Sequence, residues 1–426
     1  MALATVLARR RLYYGWYIVA VAFLVNFVSL GINASAVGVF IKPMTEELGW
    51  SRGFFSLAVT LGSLIAAPLA LAIGPIVDRR GARGMMLLGG FVIGAGTIAL
   101  GFVHAQWQFL LLRTVLAPLA MAGLGQLATQ VTVSNWFIKK RGRALGITIA
   151  GSPAGGMVTV LLATYLISAL DWRRAWMVLG VVAWALILPA TAIFMKRRPE
   201  DLGLLPDGEP PDIGAGPQKP APPPEVTWTR REAMRTPALW LLAFGFPLGF
   251  LAATTLTQHL IPYLTDIHLS RETAAFMMTL IFVTSMAVKP IAGIVAERVP
   301  PKHILAYMYA LLGAGIGLLL MVGANKVALY FIVTFLGTAW GGIVVLQALL
   351  WANYFGRPSL GLVQSLAMPV SAALSPLGPV LAGYVWDITG SYRVIFTAYI
   401  AAEALAVVLV LLARPPRKRT VLISAR

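Results

Sequence analysis

The chain repeats one pattern along its whole length: runs of about 20 apolar residues, separated by short polar segments. Only a helix or a closed barrel can cross a bilayer, because each backbone N–H and C=O must find a partner without water. The composition, 58% hydrophobic and 12% charged, fits helices of this kind. We therefore predict an all-α membrane protein with twelve transmembrane helices, at 15–40, 53–73, 84–103, 108–134, 143–169, 174–195, 238–263, 271–296, 303–323, 327–352, 359–385 and 391–413.

The formal net charge of +18 follows the predicted topology. With the N-terminus in the cytoplasm, 25 of the 34 Lys and Arg residues fall in cytoplasmic segments or at the span ends beside them, 7 in outer loops or at the span ends beside those, and 2, Arg113 and Lys289, well inside spans. Basic residues accumulate on the cytoplasmic side because they resist translocation. The charge therefore indicates orientation in a lipid bilayer and does not indicate a nucleic-acid partner. We predict a multi-pass protein of the inner (plasma) membrane with both termini in the cytoplasm.

The N-terminal end and one long loop complete the predicted domain organisation. The first apolar stretch is too long for a signal-peptide core, so we interpret it as an uncleaved span. The loop after span six is rich in proline and is expected to be an extended linker. The resulting segments are a cytoplasmic tail, a first six-helix bundle, a cytoplasmic linker, a second six-helix bundle and a basic tail, at 1–14, 15–195, 196–237, 238–413 and 414–426.

Matching motifs occur at corresponding places in the two halves. A glycine- and charge-rich loop follows span two, and a related acidic-basic pair follows span eight: Gly74, Asp78, Arg79, Gly81 and Arg83, then Glu297 and Arg298. An Asn-aromatic-Phe sequence begins at Asn135 after span four and at Asn353 after span ten. These pairs predict a duplicated six-helix unit, so the two bundles should be pseudo-symmetric.

The loop at Gly74 to Arg83 resembles the signature of the major facilitator superfamily between spans two and three. Arg113 early in span four, followed by Gly123 and Gly125, resembles a second signature of that family. The resemblance covers about 15–413 and implies two bundles around a central site that opens alternately to each side. It also implies a monomer, and a gating role for the loop residues through pairs that form and break between bundles. A loop that only determines topology is the alternative.

Span eight contains a lysine at membrane depth. Lys289 lies in the apolar run from Ala274 to Ala296 and precedes Pro290. A lysine at the bilayer centre costs about 2.5–3.5 kcal/mol on insertion scales, and such residues usually face a cavity. Ser285 lies four residues earlier and therefore on the same helical face. We predict that both side chains face a cavity and that the anionic partner of the lysine is the substrate.

This span is similar to span eight of monocarboxylate transporters, in which an aspartate, an arginine four residues later, a proline and a glycine recur. Lys289 stands at the arginine position and Ser285 at the aspartate position, while Pro290 and Gly293 match. A span-one lysine of the animal members is replaced here by Ser35. Of the charged residues that the animal members carry at these positions, this chain therefore keeps only the cation of span eight. Because Lys289 is seven residues from the inner end, about 10 Å, snorkelling toward the interface is the alternative.

The remaining polar residues within spans divide into two groups of candidates. In the resembled fold, spans one, four, seven and ten line the cavity, so we expect substrate-binding side chains among Asn33, Gln126, Gln130, Gln258, His259, Tyr263 and Gln347. Candidates for proton coupling are His259, since histidine is a common proton carrier in proteins, Glu403 and Arg113. The alternatives are amides that join helices, a histidine at the rim, a structural carboxyl and a structural arginine.

The sequence predicts a secondary transporter rather than an enzyme or an ATP-driven pump. It has no phosphate-binding Gly-x-x-x-x-Gly-Lys-Ser/Thr loop and no metal-ligand cluster, so we predict neither a cofactor nor a metal. The expected partners are a small organic anion, most of all a monocarboxylate, and a proton carried in symport. Efflux or exchange of other metabolites, dicarboxylates or drugs is the second hypothesis. A transport-inactive sensor of organic anions is the third.

Overall fold

A computed structural model of the protein describes residues 13–208 and 227–416. Most of the predicted N-terminal tail, the proline-rich part of the linker and the end of the basic tail lie outside these described residues. Within the described ranges the chain forms helices and turns and no β-strand. Twelve long helical segments are numbered in chain order: α1 Gly15–Leu48, α2 Arg52–Arg80, α3 Arg83–Leu100, α4 Gln106–Trp136, α5 Arg141–Ala169, α6 Trp172–Phe194, α7 Pro237–Asp266, α8 Arg271–Val295, α9 Pro301–Val322, α10 Lys326–Phe355, α11 Arg357–Thr389 and α12 Arg393–Leu412.

These helices confirm the predicted fold class. In the described part of the chain, 11 helices are long and apolar enough to cross a membrane. The remaining one, α2, has 29 residues, and at 1.5 Å per residue it is about 43 Å long. Each helix overlaps one of the twelve predicted spans. The protein is therefore a multi-pass membrane protein.

Three of the long segments are not continuous α-helices. Five-residue π turns interrupt α1 at Gly31–Ser35 and α4 at Leu112–Leu116. Gly125 then breaks α4 again with an extended backbone, ψ 171°. The third interrupted segment is α11, which breaks between Leu374 and Leu377. A π turn holds an extra residue, which rotates the following side chains relative to a regular helix.

The two halves, α1–α6 and α7–α12, meet along two helix pairs, α5 with α8 and α2 with α11. Glycines allow the first pair to touch backbone to backbone: a Cβ at Gly142 would lie 1.9 Å from the Gly293 carbonyl oxygen. A Cβ at Gly146 would lie 2.5 Å from the carbonyl oxygen of Lys289. Small residues permit such close helix packing in membranes. This seam holds the C-terminal end of α8 against the first half.

Candidate substrate cavity

A cavity of about 860 Å³ lies between the two halves. It is lined from the first half by α1, α4 and α5, and from the second half by α7, α8, α10 and α11. Most lining side chains are apolar or aromatic. Among the described residues that line it, Lys289 is the only one with a charged side chain. A largely apolar lining around one charge strengthens the interaction of that charge with an ion of opposite sign.

Lys289 points away from the nearer end of its helix. Its Nζ donates to the Ser285 hydroxyl at 2.8 Å and to the Ser285 carbonyl oxygen at 3.3 Å. Ser285 lies one turn back along α8, toward the middle of the bundle. The lysine is 5% exposed, and both residues line the cavity. The side chain therefore turns into the cavity and does not extend toward the interface. The Ser285–Lys289 pair predicted from the spacing is present.

Four glutamines add amide groups to the cavity. Gln130 accepts from Gln364 at 3.2 Å across the two halves, and donates to Gln126 at 3.4 Å. On α10, Gln347 donates to the hydroxyl of Tyr309 at 2.9 Å. Gln126, Gln130 and Gln347 were expected in the cavity from the sequence. Gln364 was missed, although it is the single glutamine in the predicted eleventh span.

One end of the bundle, which we call the basic end, carries Asp78, Arg141 and Glu297. The Asp78 carboxylate accepts hydrogen bonds from the backbone N–H groups of Gly361 and Leu362, at 2.9 and 2.8 Å. These N–H groups lie in the first turn of the long helix of α11. A carboxylate at a helix N-terminus is stabilised by free N–H donors and by the helix dipole. Asp78 therefore joins α2 to α11 across the halves.

At the basic end, an ion pair also joins α5 to α8, the other pair of helices along which the halves meet. Arg143 donates to both carboxylate oxygens of Glu297, with a shortest distance of 2.7 Å, and its backbone N–H donates to the same carboxylate at 3.0 Å. The pair links the start of α5 to the turn after α8. Glu297 was predicted in the gating set, whereas Arg143 was not.

Each of the two Asn-aromatic motifs is followed by an arginine that donates a hydrogen bond to the asparagine of the other motif, in the opposite half. Arg141 donates to the side-chain oxygen of Asn353 at 3.1 Å, and Arg357 donates to the backbone oxygen of Asn135 at 2.7 Å. Arg357 also pairs with Glu200 at 3.3 Å. The signal for this contact was the repeated motif itself, which places an arginine a few residues after each asparagine. The described hydrogen bonds and ion pairs between the halves lie at the basic end and at the glutamine pair of the cavity.

The other members of the predicted gating set make local contacts or face outward. Gly81 has φ +79°, and a Cβ there would lie 3.0 Å from the Arg197 side chain. Arg83 donates to the carbonyl oxygen of Ala192, within the first half. The remaining members are Gly74, inside α2, and two exposed arginines, Arg79 and Arg298.

Arg113 and Asn33 form a pair inside the first half, outside the cavity lining. The Arg113 guanidinium donates to the Asn33 side-chain oxygen at 3.1 Å and to its backbone oxygen at 2.7 Å. Both residues sit in π turns, one in α4 and one in α1. The expectation that Asn33 faces the substrate cavity assumed regular helical periodicity, which the π turn interrupts. The arginine instead holds α4 against α1.

The cluster predicted near the end of α7 also lies outside the cavity lining. His259 contacts the Tyr392 hydroxyl and the Pro379 carbonyl oxygen, both at 3.1 Å, so both ring nitrogens have partners. Tyr263 donates to the Leu319 carbonyl oxygen at 2.8 Å. Gln258 is exposed. The last α7 residue that lines the cavity is Phe250, about two turns before this cluster.

Glu403 is a carboxyl group buried inside the second half. It is 1% exposed, and among the described residues neither of its oxygens has a hydrogen-bond partner. It lies where α12 packs on α9: a Cβ at Gly313 would lie 3.2 Å from the Glu403 Cβ. Tyr309, one turn from Gly313 on α9, bonds Gln347 at the cavity. Among the described residues no hydrogen bond joins Tyr309 to Glu403, so the chain of polar contacts from the cavity ends at Tyr309.

A cavity between two helical halves, closed at one end by bonds between those halves, defines this chain as a membrane transporter. A sequence profile of the Major Facilitator Superfamily matches residues 19–376 and 259–426. The chain belongs to that superfamily. Because its relatives are transporters and not enzymes, the protein is assigned to the same non-enzymatic class.

Curated relatives and solved structures agree with this assignment. Monocarboxylate transporter 4 of Rattus norvegicus is 25% identical over 94% of this chain and 82% of its own length. Monocarboxylate transporter 11 of Homo sapiens is 26% identical over 90% of this chain and 79% of its own length. The same fold occurs in the E. coli fucose:proton symporter FucP, with a TM-score of 0.67 and 14% identity over 93% and 99% of the two chains. The proton:xylose symporter XylE has a TM-score of 0.72 and 12% identity over 94% and 96%.

Proposed function

We propose that the protein transports small organic anions, chiefly monocarboxylates, by alternating access. The observation that carries this proposal is Lys289, the single charged side chain among the described residues of the cavity. A lysine ammonium has three N–H donors, and the contacts to Ser285 leave donor capacity for a carboxylate oxygen. One cation without an acidic neighbour favours a substrate with one negative charge. The monocarboxylate transporters among the relatives support the same substrate class.

The proposal includes an orientation. The basic end faces the cytoplasm of an inner-membrane protein, since basic residues accumulate on that side. The described cavity is then closed toward the cytoplasm and extends outward as far as Leu161 and Ser375. The two bundles, 15–195 and 238–413, rock about the cavity. In that motion the bonds of Asp78 and the Arg143–Glu297 pair break as the inner side opens.

A proton accompanies the anion in the proposed cycle, and Glu403 is the site that holds it. Its burial without a partner makes a charged carboxylate costly, and binding a proton removes that cost. Gln347 at the cavity bonds Tyr309, which stands one turn from the glycine that packs on Glu403, and the proposed proton passes through this region. His259 is a weaker candidate, because both of its ring nitrogens already have partners within the second half.

Counterflow in proteoliposomes tests transport itself. Purified protein is reconstituted into liposomes loaded with millimolar unlabelled carboxylates, and the entry of trace labelled acetate, pyruvate, phenylacetate or 4-phenylbutyrate is followed. We expect labelled carboxylate to accumulate transiently and labelled glucose to remain excluded. A protein that binds carboxylates in a thermal-shift assay but exchanges none would be a sensor, and the proposal would be wrong.

Replacing Glu403 with glutamine separates proton coupling from exchange. We expect Glu403→Gln to retain carboxylate exchange within about twofold, because glutamine matches the shape and neutral charge of the protonated acid. Uptake driven by an inward pH gradient should fall to simple equilibration, with no acidification recorded by a dye trapped inside the liposomes. Unchanged acidification by the variant would exclude Glu403 as the proton site. The same change at the exposed Glu46 is the control.

A further inference from the structure

The cavity has two layers at different depths. Lys289 and Gln347 form part of the deeper, polar layer, while Phe282 and Trp340 stand seven residues earlier on α8 and α10 respectively. Seven residues are close to two helical turns, so each aromatic ring lies on the same face as the polar residue below it. The Phe282 and Trp340 rings pack 5.6 Å apart at a tilt of 49°. A paired aromatic surface therefore overlies the charged layer.

The distance between the charged layer and the aromatic layer limits the length of a ligand that can contact both. The Lys289 ammonium bonds Ser285, so the charge lies near the level of Ser285. Phe282 lies three residues before Ser285 on α8, about 4.5 Å of helical rise away from it. A carboxylate bound at the ammonium thus has an aromatic surface within the reach of a short carbon linker. An acid of two or three carbons would contact the lysine and leave the rings uncovered.

The size of the cavity indicates a larger ligand as well. Its volume, about 860 Å³, lies in the range of about 300–1,000 Å³ that holds ligands of drug size. Phe250 and Met157 add further apolar surface to the lining. Aromatic rings in contact gain specific edge or offset geometry in addition to buried area. These features favour a ligand that has an aromatic ring as well as a carboxylate.

We propose that the preferred substrates are aryl-substituted monocarboxylates with a linker of one to three carbons, whose carboxylate binds Lys289 and whose ring packs on Phe282 and Trp340. This inference rests on the proposed transport of monocarboxylates and specifies its substrate class. It makes Phe282 and Trp340 specificity residues, which contact the apolar part of the substrate and leave the carboxylate to the lysine.

Competition by unlabelled acids in the counterflow assay tests the inference. We expect phenylacetate and 4-phenylbutyrate to compete at least about tenfold more strongly than acetate or pyruvate, because only the aryl acids cover the rings. Equal or stronger competition by acetate and pyruvate would overturn the aryl preference and leave carboxylate transport standing. Failure of all carboxylates to compete, in a protein that stays folded, would overturn both.

A substitution at Trp340 tests whether this ring determines the preference for aryl acids. Trp340→Leu should weaken competition by 4-phenylbutyrate about tenfold and change that by acetate less than twofold, since the removed surface contacts only the ring. The matched control is Phe331→Leu on the same helix, where the ring is 65% exposed on the outer surface. If Trp340→Leu weakened the two acids equally, the ring would not determine specificity. Should that variant fail to fold, the wild-type comparison still decides the inference.

Discussion

Lys289→Gln is expected to lower the apparent affinity for carboxylates about a hundredfold and to abolish measurable counterflow at micromolar substrate. A hydrogen bond between charged groups contributes about 1.5–3 kcal/mol, and each 1.4 kcal/mol is a factor of ten. Glutamine retains a donor of similar reach but removes the only charge among the described cavity-lining residues. The substrate would then bring a carboxylate into an apolar cavity without a cation to compensate its desolvation.

Two further variants make this result specific to the charge. Lys289→Arg keeps the charge and can bind a carboxylate with two parallel hydrogen bonds, so transport should survive with altered selectivity. Lys42→Gln removes a lysine from an exposed pair with Glu46, and its kinetics should match those of the wild type. Binding should be followed by thermal shift at constant pH alongside counterflow. Wild-type affinity in Lys289→Gln would remove the lysine from the site.

The fold was predictable because a membrane leaves few options to the backbone. Long apolar runs fixed the number and order of helices, and the motifs repeated after α2 and α8 indicated the duplication. The helix breaks were not predictable in the same way. A π turn such as Gly31–Ser35 depends on tertiary partners, here the guanidinium of Arg113, and has no periodic signal in the sequence.

Contacts of the site that form within a single helix were predictable from the sequence. Ser285 and Lys289 share a face of α8 by spacing alone, and the structure has their hydrogen bond. Contacts between helices depend on how the halves are packed, which spacing does not specify. The Gln130–Gln364 bond is of this kind, and so is the attachment of His259 to Tyr392 and Pro379. Polar residues of α7 therefore looked alike in sequence, although the cavity reaches only the part of that helix up to Phe250.

A large loss of transport is also expected from substitutions at the glycines where α5 and α8 touch. The double variant Gly142→Ala/Gly293→Ala should prevent closure of the basic end and reduce transport at least about tenfold. Each added Cβ would lie 1.9–2.0 Å from the carbonyl oxygen of the opposite glycine, and no side chain can rotate away to make room. Overpacking costs about 1–3 kcal/mol, and the cost falls only on the state in which this seam is closed. At 1.4 kcal/mol for each factor of ten, the ratio of the two states should therefore shift by about 5-fold to 150-fold.

Cysteine labelling measures this shift directly, because the chain contains no cysteine. A single cysteine introduced as Ser371→Cys would line the part of the cavity that faces outward in the proposed orientation. Its reaction with a membrane-impermeant maleimide, applied from that side, should slow about tenfold in the double glycine variant, since the cavity now favours the opposite opening. Gly84→Ala is the matched control, because a Cβ there meets nothing within 4 Å. Unchanged labelling and transport in the double variant would mean that this seam opens no further during the cycle, and the alternating motion would have to occur elsewhere.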